Sequence, residues 1–160
     1  MPRLKIVESF SKPKTIIHVN DEYILMFDGG SRGNPGLSGA GFVIYKKTIE
    51  IACGYRYLGK ATNNIAEYSA LILGLEAANI IGIKKLVIKG DSKLVLLQVS
   101  GDWCVKSKQL KPLCKKAVSL IHKFSDTRNE HVKRNFNKRA DELANEAMNK
   151  QSTYNWFINE

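Results

Sequence analysis

Tyr23-Ile24-Leu25-Met26-Phe27 is an almost unbroken apolar run that ends on a carboxylate, Asp28, with four glycines in the next eight positions. A run without polar alternation reads as a central strand covered on both faces. GAGFVIYKK (39–47) and TIEIACGYRYLG (48–59) are two further strands, and the short polar turn between them predicts an antiparallel hairpin. The glycines after Asp28 read as a small, flexible loop.

The chain then changes period. Asn63 and Asn64 precede IAEYSALILGLEAANIIG (65–82), a helix apolar on most sides and therefore deeply packed, with either asparagine able to cap it. IKKLVIKGDS (83–92) is a short buried strand closing on Gly90-Asp91, and SKLVLLQVSG (92–101) a short helix stopped by Gly101. SKQLKPLCKKAVSLIHKF (107–124) carries its apolar residues at helical spacing. DTRNEHVKR (126–134) is a polar strand, and NKRADELANEAMNK (137–150) has a clean stripe from Ala140 to Met148. The order β-β-β-α-β-α-α-β-α argues for an α/β domain, a mixed sheet with helices packed against it. The domain is expected over 23–150, after a basic extension (1–22) and before a short aromatic tail (151–160).

The 160 residues suit one domain. Three cysteines without paired spacing argue against a disulfide framework or a zinc site, and each reads as a small buried hydrophobe. No apolar run is long enough to span a bilayer, and the N-terminus lacks a secretory core, so no membrane association and a cytoplasmic setting are expected. Twenty-five Lys and Arg against fifteen Asp and Glu leave +10, a balance that favours a polyanionic partner.

The chemistry lies in four acidic residues. Asp28 and Asp91 each terminate an apolar strand; adjacent parallel strands would aim both into one crevice. Glu67 is read in the first turn of the most apolar helix and Asp141 near the start of the last. Each has an ordinary role available: turn aspartate, helix N-cap, or favourable charge at a helix N-terminus. Gathered together they would repel, and would need protons or cations. Four carboxylates match the charge of two Mg²⁺ ions, with Mn²⁺ a possible substitute, the arrangement used for in-line displacement at a phosphodiester.

FDGGSRGNPG (27–36), TNNIAEYSAL (62–71), KGDSKLV (89–95) and HVKRNFNKRADELANEA (131–147) stand in the order of four motifs of type 1 ribonuclease H, which the chain resembles from about Tyr23 to Lys150. The resemblance implies a ribonuclease H-like fold, with a five-stranded mixed sheet of order 3-2-1-4-5 and helices on both faces. It implies hydrolysis of the RNA strand of RNA–DNA hybrids, giving 3′-hydroxyl and 5′-phosphate ends, with Asp28, Glu67, Asp91 and Asp141 as metal ligands. Gly29, Asn63 and Asn64 match positions that touch the nucleic-acid backbone; Gly30, Ser31, Asn34, Thr62, Ser92, Trp103, Lys106 and Lys108 complete the expected contacts. Trp103 has core packing as its competing role. His131, ten residues before Asp141, matches an auxiliary histidine of the family. Arg134 matches a subgroup with an HVxRxxN pattern, and is favoured as the auxiliary group because a continuing strand would bury or misdirect His131. No protein partner is implied and a monomer is expected. The competing functions are a non-catalytic binding module of the same fold and a nuclease that also accepts duplex RNA.

Overall fold

The computed structural model describes residues 17–157. Most of the expected basic extension therefore lies outside the described residues. β1 (Glu22–Gly33), β2 (Gly36–Lys46) and β3 (Ile49–Ala61) form an antiparallel meander, followed by α1 (Asn63–Ile81), β4 (Lys85–Gly90), α2 (Lys93–Val99), α3 (Leu110–Ile121), β5 (Asp126–His131), α4 (Lys138–Lys150) and β6 (Tyr154–Phe157). A 3₁₀ turn, Arg134–Phe136, leads into α4. The strand order is β5-β4-β1-β2-β3-β6, with β4 parallel to β1 and β5 parallel to β4. The expected 3-2-1-4-5 order is present, extended by a sixth strand that pairs antiparallel with the free edge of β3.

Alternation along β1 places Tyr23, Leu25 and Phe27 in the main core with α1, α2 and α3. The opposite face of the sheet carries α4, whose Leu143 and Ala147 pack with Val43, Cys53, Tyr55 and Tyr154. α1 has eleven buried residues, among them Tyr68, Leu71, Leu73 and Leu75. Each large aliphatic side chain so enclosed contributes about 1.5–3 kcal/mol of transfer free energy. No helix among the described residues is long and apolar enough to cross a membrane.

Several sequence expectations change here. The glycine-rich stretch after Asp28 is strand, not flexible loop: β1 runs on through Gly33, with Gly29 paired to Ala40 and Gly30 to Gly39. A Cβ on Gly29 would fall 2.1 Å from the Ala66 carbonyl carbon, so the residue is glycine because α1 crosses β1 there in backbone contact. α1 is capped by Thr62, whose hydroxyl accepts from the Ile65 N–H, and neither asparagine serves. α3 starts at Leu110 rather than 107, which keeps Pro112 in the first turn, where its missing N–H costs nothing. β5 stops at His131 instead of reaching Arg134. Cys53 and Cys114 are buried as expected, whereas Cys104 is exposed.

Candidate active site

Phe27 and Gly90 are the last register partners of the parallel β1–β4 pair, so Asp28 and Asp91 follow at the same level of two adjacent strands. The close crossing at Gly29 brings α1 onto β1 at Ala66-Glu67 and delivers Glu67 beside Asp28. Asp28, Glu67 and Asp91 each offer an oxygen, and these oxygens lie within 4.8 Å of one another. The ordinary roles go elsewhere. Ser92, not Asp91, caps α2. Asp28 is within a strand, not a turn. Glu67 lies past the first turn of α1, so the helix dipole does not account for it.

The crowding is costly. Asp28 and Glu67 are only 7% and 5% exposed. Burial, then the charge of Asp91, then the Asp141 carboxyl push Asp28 up to about 8. Burial, followed by the charges of Asp28 and Asp91, holds Glu67 well above the usual carboxylate range. Glu67 Oε2 and Asp91 Oδ2 are buried without a hydrogen-bond partner. Orphaned carboxylate oxygens in a shared pocket require a proton or a cation, and an all-oxygen set suits a hard divalent ion. The residues present therefore fit the divalent metal that the sequence implied. Asp141, exposed in the first turn of α4, stands outside the three-residue cluster but close enough to Asp28 to raise its proton affinity.

Around this cluster, several expected contact residues spend their side chains internally. Ser31 Oγ donates to the Ala61 carbonyl at 3.0 Å. Asn34 Oδ1 accepts from the Asn63 N–H at 3.1 Å, tying the β1–β2 hairpin to the start of α1. Thr62 and Ser92 are caps, Gly29 is buried and Gly30 half-buried. Asn63, Asn64, Lys106 and Lys108 are exposed. Trp103 is 47% exposed, which removes the core-packing role considered for it. His131 ends β5 exposed rather than buried, its Nε2 3.2 Å from the Asp91 carbonyl oxygen. Arg134 opens the 3₁₀ turn and is also exposed. Sequence reasoning missed Asn137: an asparagine before a helix reads as a cap, and no local signal shows that its amide reaches β1.

The geometry has counterparts. The reverse transcriptase-like family matches residues 26–147. Ribonuclease HI of Halobacterium salinarum is 44% identical over 123 residues, covering 76% of this chain and 62% of that protein. The chain thus spans about three-fifths of that relative's length. The crystal structure of RNase H1 from the same archaeon superposes with a TM-score of 0.78 at 42% identity, covering 81% of this chain and 98% of that one. LC11-RNase H1 in complex with RNA/DNA hybrid gives 0.76 at 36% identity, covering 81% and 98%. Four motifs in order, the family-model match and the structural likenesses agree: the chain belongs to the type 1 ribonuclease H family.

Proposed function

We propose that this chain is a divalent-cation-dependent endonuclease that hydrolyses the RNA strand of RNA–DNA hybrids. Water attacks phosphorus, the bond to the 3′-oxygen breaks, and 3′-hydroxyl and 5′-phosphate ends result. The observation that carries this reading is the meeting of Asp28, Glu67 and Asp91, drawn from the middle of β1, from α1 and from the residue after β4, with two oxygens left unpaired. A complex of LC11-RNase H1 with RNA/DNA hybrid supports the substrate class.

Asp28, Glu67 and Asp91 would hold the cations, two Mg²⁺ ions or Mn²⁺ in their place, with Asp141 completing the set beside Asp28. When bound, such ions supply Lewis-acid activation and charge neutralisation at the phosphodiester. The chain's own residues do the rest. Asn63 and Asn64, exposed at the start of α1, present amide groups to the sugar-phosphate backbone, where contact with a 2′-hydroxyl distinguishes ribose from deoxyribose. Lys106 and Lys108, with Trp103 beside them, form a basic, sequence-independent grip on phosphates. His131, against the Asp91 carbonyl, and Arg134, at the head of the 3₁₀ turn, are the two candidates for assisting proton transfer or product release.

The test is cleavage of end-labelled RNA–DNA hybrid, duplex RNA and duplex DNA, each in Mg²⁺ or EDTA. Cleavage of the hybrid's RNA strand only in Mg²⁺ is expected. Intact hybrid in Mg²⁺ would leave a binding module instead, and equal cleavage of duplex RNA would broaden the substrate class.

A further inference from the structure

Asn137 is 1% exposed and immediately precedes α4. An asparagine there ordinarily turns its side-chain oxygen onto the first-turn N–H groups. Asn137 makes no such cap. Its Nδ2 donates instead to the Phe27 carbonyl of β1 at 2.9 Å, and its Oδ1 stays buried with no partner. Its backbone N–H donates to the Arg134 carbonyl at 3.0 Å, and its own carbonyl accepts from the Asp141 N–H at 3.1 Å.

The bonding pattern has a direction. Phe27 adjoins Asp28 and belongs to the last β1–β4 register pair, so β1 loses its parallel neighbour where the carboxylate begins. Asn137 supplies a donor to β1 at that level. The same residue bonds the backbone of Asp141 and of Arg134. Three groups of the proposed site, from a strand, a 3₁₀ turn and a helix, are thereby referenced to one residue: its backbone holds Arg134 and Asp141, and its side-chain amide alone ties that junction to β1.

We propose that Asn137 is a positioning residue: it fixes α4 and the 3₁₀ turn against β1 at Phe27, so that Asp141 and Arg134 are held in register with Asp28. It touches neither metal nor substrate in this role. The inference rests on reading the carboxylate cluster as a metal-dependent site, which Asn137 serves from behind. Residues that orient metal ligands set ligand geometry, and their loss costs about 10–100-fold in metal affinity or activity.

The experiment compares wild type, Asn137→Ala, Asn137→Ser and a control, Leu120→Ala, which opens a cavity in the α1–α3 core away from the site. Mn²⁺ binding is measured by calorimetry and by electron paramagnetic resonance, hybrid cleavage is resolved into kcat and KM, and folded fraction is followed by circular dichroism. Both Asn137 variants are expected to bind Mn²⁺ and turn over about 10–100-fold less well, with KM for hybrid nearly unchanged. Leu120→Ala should lose stability but keep wild-type metal affinity. Asn137 variants that match the control, less stable but unaltered in Mn²⁺ affinity and kcat, would overturn the proposal. So would failure of both to fold, which would make Asn137 a scaffold residue. Absence of Mn²⁺ binding in the wild type would instead overturn the reading of the cluster itself.

Discussion

Asp28 and Asp91 stand one residue beyond the same register pair, Phe27↔Gly90, on neighbouring parallel strands. Their proximity is a property of the sheet rather than of any loop. The backbone pairing itself thus sets the spacing of the two carboxylates, and it forces like charges together at a largely buried position.

Asp91→Asn is expected to abolish hybrid cleavage, by more than the roughly 10–100-fold cost of losing a residue that only orients a ligand. Hybrid affinity in EDTA should be retained. Removing one of three crowded carboxylates relieves like-charge repulsion and should also stabilise the metal-free protein, by on the order of 1 kcal/mol, the equivalent of about one pKa unit. Gel-based cleavage, filter binding and urea denaturation check the three parts; unchanged turnover would refute the assignment of Asp91.

The metal-free protein should lose stability as pH rises. Asp28 moves from an ordinary 3.8 to about 8 on folding, and Glu67 moves in the same direction. Between those limits the native state holds a proton that the unfolded chain has released, so stability is fully present below the lower value and lost as pH climbs through the upper one. Urea titrations in EDTA across this window should show the decline, flattened in Asp28→Asn. A wild-type stability that climbs over the window would contradict the burial argument.

Mg²⁺ binding near neutral pH should release protons, because the ligand oxygens must shed them to coordinate. Calorimetric binding enthalpies should therefore vary with the ionisation enthalpy of the buffer. Enthalpies independent of buffer would mean the carboxyls are already ionised.

Replacing Lys106 and Lys108 together by Ala should raise KM for hybrid and leave kcat near wild type. The slope of log affinity against log salt should become shallower by about 0.9 for each duplex phosphate that these lysines neutralise in the wild type. A lowered kcat at unchanged KM would place these lysines in the chemistry instead.

Tyr154 packs in the α4-side cluster, 8% exposed, with its hydroxyl buried and unpartnered. Tyr154→Phe should therefore be neutral or stabilising, by up to about 1 kcal/mol. Tyr154→Ala should cost about 3–5 kcal/mol, the usual range for emptying an aromatic site. Thermal denaturation of both variants checks the pair; a destabilised Tyr154→Phe would reveal a partner for the hydroxyl.

Much of the architecture could be read before any coordinates because two apolar runs end abruptly on Asp28 and Asp91, and because the change from strand-like to helical period falls at Asn63. What escaped depended on contacts distant in sequence. Gly29 looked like loop because glycine is a poor strand former, yet its reason is Ala66 of α1 pressed against it. β6 was invisible in a short tail, since only the free edge of β3 gives Tyr154–Phe157 a partner. Asn137 carries no local mark of its role, because its amide bonds the Phe27 carbonyl, 110 residues away in sequence. Local propensity carries no record of such crossings.

The most direct test of the central claim is crystallographic: anomalous scattering from Mn²⁺ soaked into or co-crystallised with the protein. Mn²⁺ peaks bounded by the carboxylate oxygens of Asp28, Glu67 and Asp91, and lost in Asp28→Asn, are the expected result. Crystals in saturating Mn²⁺ that show those three side chains hydrogen-bonded to one another, with no metal between them, would contradict it.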